Sequence, residues 1–275
     1  MWPDPLTDDE CAVLEYYTGT FHDRMTDRAV KAANWALLEA AGGVTDKDVV
    51  DLGCGYPHDA LRWAGAAHGW VLIDFCQFVL TENINVLEKA GLLFPWQDFI
   101  KRDMWCVDMR ALPLPDASAD VVLCFGTLTL VPEGRDQVHA EAFRILRPGG
   151  RYCLTVPDRA HFGFEERRGP DVCGYMATWT WEGLERELTA AGFTLCEIHG
   201  TLHAHLSAWA EKPTGVASSD PHPGPGALER DRSGRFKRRG AHRGGFSSRG
   251  LGGLSGGTSP ASCGSGATRC PGSTS

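Results

Sequence analysis

Residues 49–57 read Val49-Val50-Asp51-Leu52-Gly53-Cys54-Gly55-Tyr56-Pro57. Two β-branched apolar residues lead into an acidic residue and then into two glycines separated by one position. This order predicts a buried strand, a tight turn and a helix over residues 57–64. Glycine lets the backbone of such a turn approach a ligand that a Cβ atom would push away. The helix N-terminus favours negatively charged groups. The stretch therefore suits a ligand that carries a carboxylate, an amino group and hydroxyls.

The same residues resemble motif I of the class I S-adenosylmethionine-dependent methyltransferases, whose common form is Asp-Leu-Gly-Cys-Gly-x-Gly. The chain departs from that form once, with Pro57 in the place of the third glycine. The resemblance covers about residues 45–213. It implies an α/β fold, a Rossmann-like, doubly wound and mainly parallel sheet that ends in a C-terminal antiparallel hairpin. It also implies S-adenosyl-L-methionine as the cofactor. The sequence after the fourth predicted strand, Phe125-Gly126-Thr127-Leu128, looks like the small-molecule, methyltransferase-domain-11-like branch of the family.

Three segments make up the predicted domain organisation. Residues 1–44 are predicted to form a helical lid segment, residues 45–213 the S-adenosylmethionine-binding methyltransferase domain, and residues 214–275 a disordered tail. In similar methyltransferases an aromatic segment ahead of the sheet closes over cofactor and substrate; packing of these rings against the sheet is the alternative. The tail is rich in Gly, Ser, Arg and Pro and has few apolar residues with which to form a core.

The charge of the chain is unevenly distributed. Residues 214–275 hold nine Lys and Arg against three Asp and Glu, a net charge of +6; subtraction from 27 and 35 leaves 18 basic and 32 acidic residues in 1–213, a net charge of −14. An acidic body argues against a nucleic-acid substrate. The Arg-Gly clusters of the tail leave one rival interpretation open, an RNA-modifying enzyme tethered by its tail. A solubilising tail, or out-of-frame translation of GC-rich DNA, explains the same composition and is favoured.

Composition also bounds where the protein works. With 43% hydrophobic and 23% charged residues the chain has the composition of a soluble globular protein. No run approaches the roughly 20 apolar residues of a membrane span, and the first residues lack the basic and apolar regions of a secretion signal. The ten cysteines form no Cys-x-x-Cys pair, and several lie in apolar runs. We therefore expect reduced thiols, a cytoplasmic location and no membrane partner.

Apolar runs and helical spacings alternate along the chain as in a doubly wound sheet. Strands are predicted over residues 49–52, 70–74, 105–108, 120–125, 151–156, 193–198 and 202–210. Helices are predicted over residues 8–18, 24–41, 59–67 (57–64 from the turn signals alone), 77–91, 134–146 and 180–191. For the third strand, residues 99–103 are the alternative. Residues 147–150, Arg-Pro-Gly-Gly, predict a turn before the fifth strand, and residues 157–178 read as irregular.

Cofactor-binding residues are predicted mainly from the resemblance. Asp74 ends the second strand 23 positions after Asp51, near the roughly 20 at which such folds place a ribose-binding acid; a solvated loop acid is the alternative. The resemblance implies that Gly53 and Gly55 admit the methionine end of the cofactor. It also implies that Asp108 accepts the adenine amino group and that Met109 covers the ring, with Asp103 and Met104 as the fallback pair. The predicted set of cofactor-binding residues is completed by Asp51, Phe75 and Phe125.

Catalytic and acceptor-binding residues are less clearly marked in the sequence. Transfer of a methyl group from a sulfonium depends mostly on orientation and desolvation, and a general base helps only if the acceptor must lose a proton. His161 is the first candidate base and His22 the second. The candidate acceptor-binding residues are Tyr17, Thr127, Tyr175 and Trp179, although a tryptophan there is equally compatible with the core. No metal site is expected at His199, His203 and His205, because their spacing includes no cysteine or carboxylate partner.

The function predicted from the sequence is transfer of a methyl group to an O, N or C nucleophile of a small organic molecule, for instance in natural product biosynthesis. A non-catalytic S-adenosylmethionine-binding protein is the alternative from another class, suggested by Pro57. The oligomeric state does not follow from the sequence.

Overall fold

A seven-stranded sheet forms the centre of the protein. The computed structural model describes residues 28–63, 65–89, 104–169, 174–200, 204–215, 228–230 and 236–238. The strands of these residues are β1 (Asp48–Leu52), β2 (Gly69–Asp74), β3 (Met104–Cys106), β4 (Ala119–Phe125), β5 (Leu146–Pro157), β6 (Glu166–Gly169), β7 (Gly174–Ala177), β8 (Thr194–Gly200), β9 (His205–Glu211), β10 (Leu228–Arg230) and β11 (Phe236–Arg238). Their helices are α1 (Arg28–Ala40), α2 (His58–Trp63), α3 (Gln77–Lys89), α4 (Arg135–Ile145), α5 (Arg159–Phe162) and α6 (Trp181–Ala190), with a 3₁₀ turn at Leu128–Leu130.

The strand order of the sheet is β3-β2-β1-β4-β5-β9-β8. The pairs from β3 to β5 are parallel, whereas β9 runs antiparallel to both β5 and β8. The chain therefore moves outward from β1 in one direction, returns, and continues from β4 in the other. In an open sheet of this kind, ligands bind beyond the carboxyl ends of the strands where the order reverses. The predicted doubly wound sheet with a closing antiparallel hairpin is confirmed.

Burial along the strands explains why the sheet is central. Every residue of β1 and of β2 is buried, as expected of parallel strands covered on both faces. On one face the core contains residues of α1 and α2, such as Leu37 and Ala60. On the other it contains residues of α4 and α6, such as Ile145 and Leu188. Two helical layers thus enclose the sheet and leave its carboxyl edge to the loops.

The end of α4 and the start of β5 differ from the simple turn that was predicted. The strand starts at Leu146, which pairs with Ala119, but the next pair joins Arg151 to Val121. The Arg-Pro-Gly-Gly residues are therefore the extra residues of a bulge. Gly150 is required there, because an added Cβ would lie 2.8 Å from the carbonyl oxygen of Arg147. The turn was predicted at the right residues, but the strand begins before it.

An ion cluster fixes this amino edge of the sheet. The guanidinium of Arg147 bonds Asp48 at 2.9 Å and Asp120 at 2.7 Å, and the backbone N–H of Asp48 donates to Asp120 at 2.8 Å. His68 lies 2.8 Å from the other oxygen of Asp48. These contacts join the start of β1 to the starts of β4 and β5, on the edge away from the ligand crevice.

Several predicted elements need correction. The third strand is Met104–Cys106, so it only overlaps the chosen residues 105–108. Residues 157–178 are not irregular throughout, because they contain α5 and the antiparallel pair β6–β7. Within the tail, β10 pairs with β11, and the other residues from 216 onward lie outside the described part. The predicted helix at 8–18, the alternative third strand at 99–103 and His203 also lie outside it.

Helix α6 follows its sequence signals closely. Thr180 caps it, since its hydroxyl accepts a hydrogen bond from the Gly183 N–H at 3.1 Å. Gly192 follows its end with φ +95°, a left-handed angle that favours glycine. The predicted helix over 180–191 is confirmed to within a residue at either end.

None of the helices that the structure describes has both the length and the apolar character needed to cross a membrane.

Candidate active site

The turn after β1 is shaped by two glycines with left-handed backbone angles. Gly53 has φ +64° and Gly55 has φ +47°. A Cβ added at Gly53 would lie 2.0 Å from the methyl carbon of Thr127, in the loop after β4. The Thr127 hydroxyl donates to the Gly53 carbonyl oxygen at 2.9 Å. The first glycine is therefore needed for close contact between two loops, in addition to any contact with a ligand.

Asp74 connects this turn to the end of β2. Its two carboxylate oxygens accept hydrogen bonds from the backbone N–H groups of Gly55, at 3.1 Å, and Cys76, at 2.9 Å. The Cys54 N–H donates to the Ile73 carbonyl at 2.9 Å. A carboxylate has about four acceptor positions, so Asp74 keeps capacity for a ligand. The solvated loop acid considered as the alternative does not fit, because Asp74 is only 7% exposed.

Burial raises the pKa values of two carboxyl groups beside the glycine turn. It raises the pKa of Asp74 to about 6, although backbone N–H groups of Cys76, Gly55 and Phe75 act in the opposite direction. The pKa of Asp51, also buried, is raised by desolvation and then by the charges of Asp59 and Asp74. Several carboxyl groups thus share a poorly hydrated region, which is typical of a binding site. A ligand with hydroxyls and a positively charged amino group would complement them.

Open space lies next to the turn. An added Cβ at Gly126 would have no neighbour within 4 Å, and one at Gly55 would meet only the Gly53 carbonyl at 4.0 Å. Asn83 of α3 donates to the Gly55 carbonyl at 2.7 Å, while its own side-chain oxygen is buried without a hydrogen-bond partner. A cradle of this shape, with an acid at its base, fits the adenosine and methionine parts of S-adenosylmethionine. Asn83 was not predicted, because nothing in its sequence neighbourhood marks it.

The loop after β3 carries Asp108 and Met109. The Asp108 carboxylate accepts four hydrogen bonds from Arg110, one from the backbone N–H and three from the side chain, at 2.8–3.0 Å. Arg110 also donates to the Glu133 carbonyl at 3.3 Å, just before α4. Met109 and Phe75 are partly buried and pack against the main core. Asp108 is therefore placed in the predicted loop, with its acceptor positions largely filled by Arg110.

A second arginine holds the rest of this loop from the other end of α4. Arg144 donates to the carbonyls of Leu114, at 2.7 Å, and Leu112, at 3.0 Å, and pairs with Asp116 at 2.7 Å. Glu141 accepts from the Leu112 N–H at 2.6 Å. The segment that leads into β4 is thus fixed to α4 along most of its length.

The loops at the carboxyl edge of the sheet form a rim, and the loop after β4 lies on the side of this rim opposite the loops that follow β2 and β3. Phe125, the last residue of β4, is half-buried, and the 3₁₀ turn that follows packs under the β6–β7 hairpin. The Thr129 hydroxyl donates to the Ala177 carbonyl at 2.8 Å. Thr127, predicted to bind the acceptor, lies at the rim, and its hydroxyl donates to the Gly53 carbonyl oxygen.

Two predicted acceptor-binding residues are in the core. Tyr175 is 0% exposed and Trp179 is 3% exposed. The Tyr175 hydroxyl accepts from Arg135 at 3.1 Å, and the Trp179 indole N–H donates to Glu187 at 2.9 Å. The prediction placed both residues in or next to an irregular segment, whereas the hairpin and α6 bury their side chains. The alternative that Trp179 belongs to the core agrees with the structure.

The candidate histidines of the described residues differ in their exposure. His161 lies on α5, directly beyond β5, and its side chain is exposed with an edge contact to Phe162 at 5.1 Å between ring centres. His139 is buried and lies 3.3 Å from Glu187, which fits a structural role. The second candidate base His22 and the candidate Tyr17 lie outside the described residues. In the described part of the chain, no group of three or more His, Cys, Asp or Glu is arranged to hold a metal ion.

Comparison with known proteins identifies the family of the central part of the chain. Residues 50–154, which run from β1 into β5, match the family model of a methyltransferase domain. These residues form a class I methyltransferase domain. The predicted resemblance to the S-adenosylmethionine-dependent methyltransferases is confirmed, and the matched residues include the cradle, Asp74 and the loop after β4.

Individual relatives extend the match. The 27-O-demethylrifamycin SV methyltransferase of Amycolatopsis mediterranei is 31% identical over 191 residues, which cover 67% of this chain and 63% of the relative. The chain spans less than two thirds of the length of the curated relatives it matches.

Two solved structures share the fold of the methyltransferase domain. The cyclase SpnF has a TM-score of 0.61 and 19% identity, covering 78% of this chain and 99% of its own. The 1,6-didemethyltoxoflavin-N1-methyltransferase of Burkholderia thailandensis, solved with S-adenosylhomocysteine, has a TM-score of 0.57 and 21% identity, covering 76% and 92%.

Proposed function

We propose that the protein is an S-adenosylmethionine-dependent methyltransferase that methylates an O, N or C nucleophile of a small organic molecule such as a secondary metabolite. The observation that carries the proposal is the coupling of the glycine turn to Asp74, in which the Gly55 N–H donates to the Asp74 carboxylate at 3.1 Å. This coupling supports the proposal, because a carboxylate suited to ribose hydroxyls lies directly beside backbone that a ligand can approach.

The residues of the cradle have distinct proposed roles. Asp74 holds the ribose, because a carboxylate accepts hydrogen bonds from neighbouring hydroxyls. Gly53 and Gly55 admit the methionine end, and buried Asp51 complements its ammonium group. Met109 covers the adenine, together with Phe75. Asp108 accepts a hydrogen bond from the adenine amino group only where Arg110 leaves an acceptor position. Asp108 therefore contributes less to cofactor binding than Asp74.

When bound, the cofactor supplies a sulfonium-activated methyl group. The protein's own contribution is to align acceptor and cofactor and to exclude water, which can lower a barrier by about 7–11 kcal/mol in favourable cases. His161 is the proposed general base for an acceptor that must lose a proton. For such an acceptor, His161→Asn is expected to lower kcat by at least about 10²-fold.

The proposed acceptor class has support from relatives. Two of the similar proteins are named for 27-O-demethylrifamycin SV and for 1,6-didemethyltoxoflavin. Both names denote small organic acceptors. Residues 1–213 also carry a net charge of −14, from 18 basic and 32 acidic residues, and a net negative charge of this size does not favour a polyanionic substrate.

Isothermal titration of the full chain with S-adenosylmethionine and with S-adenosylhomocysteine tests the cofactor. We expect both to bind with a stoichiometry of one. Incubation with methyl-labelled cofactor and a small-molecule extract then tests turnover, with label expected on a low-molecular-weight product. Binding without any labelled product would instead support a non-catalytic binding protein, and absence of binding would reject the proposal.

A further inference from the structure

Helix α1 is attached to the helix that follows the glycine turn. The Trp35 indole N–H donates to the Asp59 carboxylate at 2.7 Å, and the Lys31 ammonium contacts Nε2 of His58. Lys31 and Trp35 are four residues apart and so lie on one face of α1. His58 and Asp59 are the first two residues of α2. Lys31 is therefore held next to the turn that carries Gly53 and Gly55, although it lies outside the segment 50–154 that the family model matches.

The charge of Lys31 affects the ionisable groups at the start of α2. Burial raises the pKa of Asp59, while the hydrogen bond from Trp35 and the charge of Lys31 act in the opposite direction. Burial and the charge of Lys31 lower the pKa of His58 to about 4, so His58 is a neutral acceptor near pH 7. Desolvation raises the pKa of Asp51, and the charge of Asp59 adds to the rise, as expected for carboxyl groups that lie near each other at the end of β1 and the start of α2.

The methionine end of the proposed cofactor carries both an ammonium and a carboxylate. Asp51 and Asp59 supply negative charge for the ammonium, but they would repel the carboxylate. A cation on the same side of the turn is needed to offset that repulsion. The Lys31 ammonium, which contacts His58 at the start of α2, supplies a positive charge at this position.

We propose that Lys31 binds the carboxylate of the methionine end of S-adenosylmethionine, with His58 as the residue that positions it. This inference rests on the proposed function. It assigns a cofactor-binding role to α1, and it gives a use to the residue that follows Pro57, where the chain departs from the common motif.

A pair of ligands that differ by the carboxylate alone tests the inference. Titration calorimetry on the full chain would compare S-adenosylmethionine with decarboxylated S-adenosylmethionine. For Lys31→Met we expect the dissociation constant of S-adenosylmethionine to rise about 10- to 100-fold, as for loss of a charge-assisted hydrogen bond. The dissociation constant of the decarboxylated ligand should change by less than about threefold, since it lacks the group that Lys31 binds.

Two further variants serve as controls. Lys47→Met removes one positive charge from the loop before β1, where Lys47 bonds the Gly42 carbonyl at 3.5 Å, and should leave both affinities unchanged. Lys31→Gln keeps a donor for His58 while it removes the charge, so it can replace Lys31→Met if that variant does not fold. It should show the same selective loss.

The possible results separate the inference from the proposed function. Equal weakening of both ligands would show that Lys31 acts only by holding α1 in place, and unchanged binding of both would show that it does not touch the cofactor; either result overturns the inference and leaves the proposed function standing. If the unmodified protein binds neither ligand, the proposed function itself fails, and the inference with it.

Discussion

The two sides of the rim are built in different ways. On the cofactor side, Gly53 and Gly55 lie in one short motif, and Asp74 ends the next strand and accepts hydrogen bonds from the backbone N–H groups of Gly55 and Cys76. On the acceptor side, Tyr175 and Trp179 occupy segments that only the pairing of β6 with β7 and the packing of α6 bring together. Local sequence therefore specifies the first side, whereas long-range packing specifies the second.

The sharpest test of the cofactor side is Gly53→Ala. An alanine at φ +64° is strained and its Cβ would overlap Thr127, so the free energy of unfolding should fall by about 2–4 kcal/mol. Cofactor binding should be lost as well. Urea unfolding and titration calorimetry measure the two effects.

Gly43→Ala is the matched control for that variant, since Gly43 also has φ +64° but an added Cβ there meets nothing within 4 Å. It should show the backbone strain alone and retain binding. The double variant Gly53→Ala with Thr127→Ala should recover part of the lost stability. Equal losses for Gly43→Ala and Gly53→Ala would mean that contact between the two loops contributes little.

The next largest effect is expected at Asp74. Asp74→Asn keeps the size of the side chain but removes its charge, and should weaken S-adenosylmethionine binding roughly 10- to 100-fold at pH 8. In the unmodified protein, affinity should also fall as pH decreases through about 6, because burial raises the pKa of Asp74 to about 6. Titrations between pH 5 and 8 measure both. A pH dependence that survives in Asp74→Asn would assign it to another group, such as Asp51.

The Asp74 carboxyl group should also make stability depend on pH, in the opposite direction to the pH dependence of cofactor affinity. The pKa of Asp74 is about 6 in the folded protein, against an ordinary value of 3.8. Between these values only the unfolded chain releases the proton, so this group lowers the free energy of unfolding as pH rises from about 4 to about 6. Comparison of urea unfolding for the unmodified protein and Asp74→Asn isolates the contribution.

A smaller effect is expected from the two buried aromatic residues. Tyr175→Phe and Trp179→Phe each remove one hydrogen bond to a charged partner, and each should lower the free energy of unfolding by about 1.5–3 kcal/mol. The KM for the acceptor should stay within about twofold, since neither ring is exposed at the rim. Thermal unfolding and steady-state kinetics provide the comparison. A large rise in KM with unchanged stability would restore these residues to the acceptor site.

The smallest effect is expected at Asp108. Because Arg110 already donates four hydrogen bonds to its carboxylate, Asp108→Asn should weaken cofactor binding by less than about threefold. Arg110→Ala frees the carboxylate and should strengthen binding by a similar factor. Calorimetry on the two variants measures both changes, and a tenfold loss in Asp108→Asn would place Asp108 beside Asp74 in importance.

The same contrast explains what could be predicted from the sequence. The strands, the glycine turn and the position of Asp74 at a strand end follow from apolar runs and from spacing along the chain, which are local signals, whereas the arrangement of the sheet follows from the family resemblance. The pairing of Asp108 with Arg110 could not be predicted, because two neighbouring charges give no indication of how their side chains are oriented. Asn83 and Lys31 lie on helices whose sequence pattern indicates only which face is buried. Their positions depend on where α3 and α1 pack.

The contacts of Arg110 and Arg144 with the loop after β3 and with α4 have a consequence for kinetics. Arg110 holds this loop to Glu133, two residues before the start of α4, and Arg144 holds its later part near the end of the same helix. Helix α4 in turn follows directly from the segment that faces the acceptor. Under the proposed function this loop contacts the adenine, so we expect a shift of the loop on cofactor binding to reach the acceptor side through α4, and the two substrates to bind in a compulsory order with S-adenosylmethionine first.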